Sequence, residues 1–142
     1  MMTPANVNPF STRFVKPGAI PFFFEEPAGA ALIVERLVAN GWYGQIIGPH
    51  GSGKSTLVET LKSIITREIH GTTLHVKDNT REIYRGLMEK VALLGETHLL
   101  VLDGFEQLSA RQRKRLVQVC RERKVGMLVT AHEDLGLPTV FQ

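Results

Sequence analysis

The chain has 142 residues, of which 43% are hydrophobic and 22% are charged, as in an ordinary globular protein. This length suits one domain with a substantial core, and a formal net charge of +3 permits an anionic partner without requiring one. No apolar run approaches the roughly 18 residues that span a bilayer, so we expect no membrane span. The single cysteine, Cys120, excludes an internal disulfide, so we expect a cytoplasmic protein.

Residues 1–27 differ in composition from the rest, because they hold five of the seven prolines and five of the seven phenylalanines. Proline fixes φ and removes a backbone donor, so this segment is predicted to be an extended arm. Exposed phenylalanine rings would leave much apolar surface in water, so we expect the arm to pack on a core formed by residues 28–142. Packing is the expected role of these rings; stacking of Phe14 or of one ring within 22–24 on an adenine base is the functional alternative.

A helix and a short strand precede a glycine-rich turn. Pro27 at its start and Gly41 after its end predict a helix that stops near Asn40, and residues 42–47 predict a buried strand. The next nine residues match the phosphate-binding pattern Gly, four residues, Gly-Lys-Ser/Thr at every fixed position. They are Gly48, Pro49, His50, Gly51, Ser52, Gly53, Lys54, Ser55 and Thr56.

The chemistry of phosphate binding explains this spacing. Glycines let the loop curl so that backbone amides point at phosphate oxygens. Lys54 is expected to reach the β- and γ-phosphates, and the Ser55 hydroxyl is placed to bind Mg²⁺. Apolar residues follow at helical spacing and predict a helix whose N-terminus favours an anion; they are Leu57, Leu61, Ile64 and Ile65. Strand, loop and helix in this order predict a nucleotide-binding site, in which His50 is expected to be exposed rather than catalytic.

Strands and helices alternate through the rest of the chain. Apolar and β-branched runs predict strands at residues 72–76, 98–103 and 126–131, and a short fifth strand at residues 137–142. Two capping pairs predict helices, one from Asn79 with Glu82 to Gly95, and one from Ser109 with Gln112 to about residue 124. This alternation predicts an α/β fold of three layers with a mostly parallel sheet.

Asp103 ends a predicted strand at the sheet edge where parallel α/β folds bind their ligands. A lone aspartate at such a place is commonly a turn former, but downstream of a phosphate loop we expect it to hold Mg²⁺ together with Ser55. With these two motifs, residues 42–131 resemble the P-loop NTPase superfamily, with its Walker A and Walker B elements. The chain is also similar to the N-terminal part of AAA-type ATPases of bacterial secretion and transposition systems, in its order of Asn8-Pro9-Phe10, a helix and then the loop. This similarity implies the strand order 5-1-4-3-2.

The resemblance implies further catalytic residues and leaves alternatives open. ATPases of this type usually carry a glutamate directly after the metal-orienting aspartate, and Gly104 occupies that position here. Glu106 and Asp78 are therefore the alternative acids that would orient the attacking water; the ordinary alternative for both is a solvated acid near a helix start. At the end of the strand 126–131, either Thr130 or His132 is implied as the contact to the γ-phosphate.

The motifs that are missing favour ATP. The chain has no Asn-Lys-x-Asp motif for reading guanine, so adenine is favoured over guanine. The prediction is an ATP-binding protein with Mg²⁺-dependent ATPase activity that produces ADP and phosphate. A small-molecule kinase and a nucleotide-dependent scaffold without turnover are the alternatives.

Residues 110–124 form a strongly basic predicted helix with a single acid, Glu122. Its cationic residues are Arg111, Arg113, Lys114, Arg115, Arg121, Arg123 and Lys124. A solvated outer face is the ordinary interpretation of such a helix. The functional alternatives are contact with the phosphate backbone of a nucleic acid, or an arginine that reaches a γ-phosphate bound by a neighbouring subunit.

Overall fold

The computed structural model describes residues 28–49, 53–74 and 80–142, so the predicted arm at residues 1–27 lies outside the described part of the chain. The helices within these ranges are α1 (Ala28–Ala39), α2 (Lys54–Lys62), α3 (Thr80–Val91) and α4 (Ala110–Arg123). The strands are β1 (Tyr43–Ile47), β2 (Glu68–Thr73), β3 (His98–Asp103), β4 (Gly126–Ala131) and β5 (Thr139–Phe141). A short 3-10 turn, Phe105–Gln107, follows β3.

The five strands form one sheet in the order β2-β3-β4-β1-β5, and every pair of neighbours is parallel. Counted from the other edge, this is the predicted order 5-1-4-3-2. Because all the strands point the same way, their carboxyl ends and the loops that follow them meet at one edge of the sheet. That edge carries the loop after β1 and the last residue of β3, Asp103.

Alternate residues of the central strands face two separate cores. In β3, Leu99 and Val101 pack with α1 and α2, whereas Leu100 and Leu102 pack with α3 and α4. A strand that is apolar on both faces is stable only where helices cover each side. The predicted α/β class, with helices on both faces of a parallel sheet, is therefore confirmed.

The predicted bounds of the second strand are wrong. β2 begins at Glu68 and ends at Thr73, whereas the prediction was 72–76. As the edge strand of the sheet it is largely exposed, so its sequence shows no strong apolar pattern. Its position is set by pairing with β3, in which Glu68 lies opposite His98 and Thr73 lies opposite Asp103.

Two predicted helices also end earlier than expected. α2 ends at Lys62, although the apolar spacing continues to Ile65, and α3 ends at Val91 rather than near Gly95. A turn follows each helix. After α2, Ile65 packs against the same core as the helix, and after α3, Leu94 does so. Apolar periodicity reports which side chains are buried, and it does not show where the helical hydrogen bonds stop.

The start of α4 follows the prediction. Ser109 Oγ accepts a hydrogen bond from the backbone amide of Gln112 at 3.1 Å, and Gln112 Oε1 accepts one from the Ser109 amide at 2.9 Å. This reciprocal pair is a capping box, which satisfies two otherwise unpaired amides at the helix start. The other predicted pair includes Asn79, which lies outside the described residues.

One buried polar side chain, Gln45 in β1, ties the fifth strand to the sheet. Its amide nitrogen donates to Asp134 Oδ1 at 2.8 Å and to Thr139 Oγ1 at 3.1 Å, and its amide oxygen accepts from the Leu135 amide at 3.0 Å. The bond from Gln45, together with one from the Gly136 amide, holds the pKa of Asp134 below its ordinary value. The fully buried amide is thus satisfied, as buried polar groups must be.

Cys120 lies in the core between the sheet and α4, with no exposed surface. Burial raises the pKa of its thiol to about 12, so the side chain packs as a small apolar group. Among the described helices, none has both the length and the apolar composition that crossing a membrane requires.

Candidate functional site

The Lys54 side chain, at the start of α2, folds back toward the two residues that follow β1. Its ammonium donates to the carbonyl oxygens of Gly48 at 2.7 Å and Pro49 at 2.9 Å. An ammonium has three N–H donors, so the third has no partner among the described residues. His50, Gly51 and Ser52, the middle of the turn, lie outside the described part of the chain.

α2 begins directly after Gly53, whose φ of 88° lies in the left-handed region. Gly53, as the N-cap residue, has no side chain to cap the first turn of the helix, in which Ser55 and Thr56 lie. The first-turn amides of a helix have no partners within the helix and carry the positive end of its dipole. Among the described residues, no side-chain cap therefore satisfies these donors.

Ser55 and Asp103 are in direct contact. The Ser55 hydroxyl donates to Asp103 Oδ2 at 2.5 Å, although the two residues are 48 positions apart in sequence. Ser55 comes from α2 and Asp103 from the end of β3, and β4 lies between β1 and β3 in the sheet. Hydroxyl and carboxylate oxygens are ligands that Mg²⁺ takes. The contact therefore brings together two suitable ligand oxygens, from the two residues predicted to hold this ion.

Thr130 fixes the other oxygen of the same carboxylate. It lies in β4 directly opposite Asp103, and its side chain is fully buried. Its hydroxyl donates to Asp103 Oδ1 at 2.6 Å and accepts from the Gly104 amide at 2.9 Å. Thr130 therefore positions Asp103 and the turn after it, and its predicted contact with a γ-phosphate stays a prediction.

Gly104 explains why no glutamate follows Asp103. Its φ is +102°, and a Cβ atom at this position would lie 2.8 Å from the Leu74 carbonyl oxygen. A larger residue would be strained by its backbone angle and would also clash with a backbone atom. The chain instead turns sharply here and enters the 3-10 turn that carries Glu106.

Glu106 and His132, predicted separately, lie side by side. Glu106 Oε2 is 3.7 Å from His132 Nε2 and accepts a hydrogen bond from Gln107 Nε2 at 3.2 Å. Glu106 Oε1 is buried and has no hydrogen-bond partner among the described residues. A buried carboxylate oxygen without a partner is costly, so this atom is expected to be paired by water or by a group outside the described residues. The rival acid, Asp78, lies outside the described residues.

α4 is strongly basic. Within the described ranges, none of its six cationic side chains, nor that of Lys124 directly after its end, forms an ion pair with a carboxylate. Arg113 and Arg123 donate to backbone carbonyls, and Arg121 lies 4.2 Å from the centre of the Tyr43 ring. The side chains of Arg111 and Lys114 are exposed, so a positive surface faces solvent.

Neither a scan against protein-family models nor a search among curated proteins finds a match to this chain. Its function therefore has to be argued from the side chains that meet at the carboxyl edge of the sheet.

Sequence reasoning missed two contacts in this site, namely Thr130 with Asp103 and Glu106 with His132. Both contacts could have been inferred from the predicted strand order, because that order makes β3 and β4 neighbours. Residues at the ends of neighbouring parallel strands lie next to each other. Aligning the two strand ends would have placed Thr130 beside Asp103.

Replacement of Thr130 tests its positioning role. Thr130→Val keeps the shape of the side chain but leaves Asp103 Oδ1 and the Gly104 amide without their buried partner. We expect the free energy of unfolding to fall by about 1–3 kcal/mol, the usual cost of unsatisfied buried polar groups, as measured by urea denaturation. Thr72→Val, on the exposed face of β2, is the matched control and is expected to be nearly neutral. Equal effects of the two substitutions would contradict this role.

Proposed function

We propose that this chain binds ATP together with Mg²⁺ and hydrolyses it slowly to ADP and phosphate. The observation that carries the proposal is the contact between Ser55 and Asp103 at the end of a complete Gly-x4-Gly-Lys-Ser sequence. This contact supports the proposal beyond the sequence match, because it brings a distant carboxylate to the serine of the motif. The strand order is further support, because the resemblance to AAA-type ATPases implies the same order.

The roles of the residues follow from their positions. The third N–H of the Lys54 ammonium and the first-turn amides of α2 would bind phosphate oxygens. Ser55 and Asp103 would hold Mg²⁺, which offsets the negative charge of the β- and γ-phosphates when it is bound. Thr130 keeps Asp103 oriented through the bond to Oδ1.

Hydrolysis also needs an acceptor that orients a water molecule. Glu106 Oε1 is the candidate, because this buried oxygen lacks a partner among the described residues and the other oxygen faces His132. Catalysis of phosphoryl transfer is mostly positioning and charge stabilisation, so a weakly placed acid gives slow turnover. Asp78 is the alternative acid.

Replacement of Lys54 tests nucleotide binding. Lys54→Ala removes a charged hydrogen-bond donor worth about 1.5–3 kcal/mol, so the affinity for ATP should fall roughly 10- to 100-fold in isothermal titration calorimetry. Lys62→Ala is the matched control, because Lys62 is at the far end of the same helix, where it pairs with Glu59. Loss of ATP binding in both variants, or in neither, would contradict the proposed role of Lys54.

Replacement of Glu106 separates hydrolysis from binding. If Glu106 orients the water, Glu106→Gln should lower phosphate release by about 10²–10⁴-fold and leave the affinity for ATP unchanged. Glu122→Gln on the exposed face of α4 is the control and should keep full turnover. Unchanged turnover in Glu106→Gln would exclude this residue as the acid.

The same assay distinguishes the two alternative functions. ADP formation that depends on an added acceptor would indicate a small-molecule kinase. Tight ATP binding without turnover in the unaltered chain would indicate a nucleotide-dependent scaffold.

For the exposed cationic side chains of α4 we propose contact with the phosphate backbone of a nucleic acid, since they lack carboxylate partners in the described structure. The affinity for a DNA or RNA duplex should then fall steeply as the salt concentration rises. Arg111→Glu combined with Lys114→Glu should weaken binding, whereas Arg85→Glu on α3 should not. Salt-independent binding would contradict the proposal, and nucleotide-dependent oligomerisation without nucleic-acid binding would favour the neighbouring-subunit alternative.

A further inference from the structure

Glu68, His70 and His98 lie together at the amino end of β2 and β3. Glu68 and His98 are the first residues of their strands, whereas Asp103 is the last residue of β3. The cluster is therefore at the opposite end of the sheet from the candidate nucleotide site, and the proposed ATPase does not use it.

The pairing of the two strands places all three side chains on one face of the sheet. Glu68 is directly opposite His98, and His70 follows Glu68 by two residues, so it projects to the same side. His98 Nε2 lies 3.5 Å from Glu68 Oε1, and His70 Nε2 lies 3.9 Å from Glu68 Oε2. One ligand atom from each side chain lies within 4.8 Å of the others.

We propose that these three side chains bind a divalent transition-metal ion such as Zn²⁺. Two imidazoles and one carboxylate are ligands that Zn²⁺ commonly takes in proteins. With bond lengths of about 2.0–2.2 Å, the ligand atoms around a tetrahedral zinc ion are about 3.3–3.6 Å apart. The distance of 3.5 Å from His98 Nε2 to Glu68 Oε1 falls in this range, and the distance of 3.9 Å from His70 Nε2 to the other oxygen, Oε2, is slightly longer.

The same distances argue against a simple hydrogen-bonded cluster. Hydrogen bonds with nitrogen donors have lengths of about 2.7–3.2 Å, and both contacts of Glu68 with the histidines are longer. The side chains of Glu68, His70 and His98 thus lie close together without forming hydrogen bonds of ordinary length to one another. Glu68 has 69% of its side chain exposed, so it can rotate toward an ion while the paired strands hold the backbone in place.

Two neighbouring contacts limit the affinity of this site. His98 Nδ1 accepts a hydrogen bond from the Gly95 amide at 3.0 Å, which leaves the proton of a neutral imidazole on Nε2, the atom that faces Glu68. Metal binding at Nε2 moves this proton to Nδ1, where Thr97 Oγ1 lies 3.5 Å away, and the Gly95 amide loses its acceptor. Arg67 also donates to the His98 carbonyl oxygen and adds a nearby positive charge. We therefore expect micromolar rather than nanomolar binding.

Isothermal titration of the full chain with Zn²⁺, without nucleotide, tests the site. We expect one ion per chain and an affinity at least tenfold weaker in each of His70→Ala, His98→Ala and Glu68→Gln. Because substitution of His98 also alters the Gly95 turn, His70→Ala on the edge strand is the decisive variant, with its fold checked by circular dichroism. No binding, or an unchanged affinity in His70→Ala, would overturn the proposal.

Two control variants separate this site from the candidate nucleotide site. His132→Asn changes a histidine at the other end of the sheet and should leave zinc binding unchanged. Lys54→Ala should also keep the affinity for zinc, so failure of the nucleotide proposal would not affect this result. A loss of zinc binding in His132→Asn as large as that in His70→Ala would place the ion elsewhere and overturn the proposal.

Discussion

The hydrogen bond from Ser55 to Asp103 is the interaction on which the candidate site depends. It joins α2 to the end of β3. In the sheet, β3 is separated from β1, the strand before α2, by β4. The intervening strand supplies Thr130, which holds the second oxygen of the same carboxylate from a fully buried position. Both oxygens of Asp103 are thus fixed by residues on regular secondary structure, which positions a binding group more accurately than a loop does.

The turn after Asp103 limits which residue can follow it. Gly104 is required by its backbone angle and by the nearby Leu74 carbonyl, so a glutamate at this position has no room. Glu106 comes from the following 3-10 turn, and its Oε2 lies 3.7 Å from His132 Nε2. The proposed ATP binding and the proposed hydrolysis therefore depend on different residues, with Ser55 and Asp103 for the ion and Glu106 for the water.

The sequence was informative where the chemistry is local. The bounds of β3 and β4 follow from continuous apolar runs, and the capping box of α4 follows from two residues three positions apart. The bounds of β2 could not be predicted, because pairing with β3 decides them and the exposed edge strand has no strong apolar pattern. The cluster of Glu68, His70 and His98 could not be predicted either, because these residues meet only when β2 and β3 pair in their observed register. The contact between Ser55 and Asp103 could be anticipated, because both residues were expected to bind the same Mg²⁺ ion.

The most direct test of this account is calorimetric titration of ATP into the chain and into Asp103→Asn, each with and without Mg²⁺. Mg²⁺ is expected to strengthen ATP binding to the unaltered chain, and most of this gain should be lost in Asp103→Asn because the carboxylate that holds the ion is gone. Failure of the unaltered chain to bind ATP, or an equal gain from Mg²⁺ in both proteins, would contradict it.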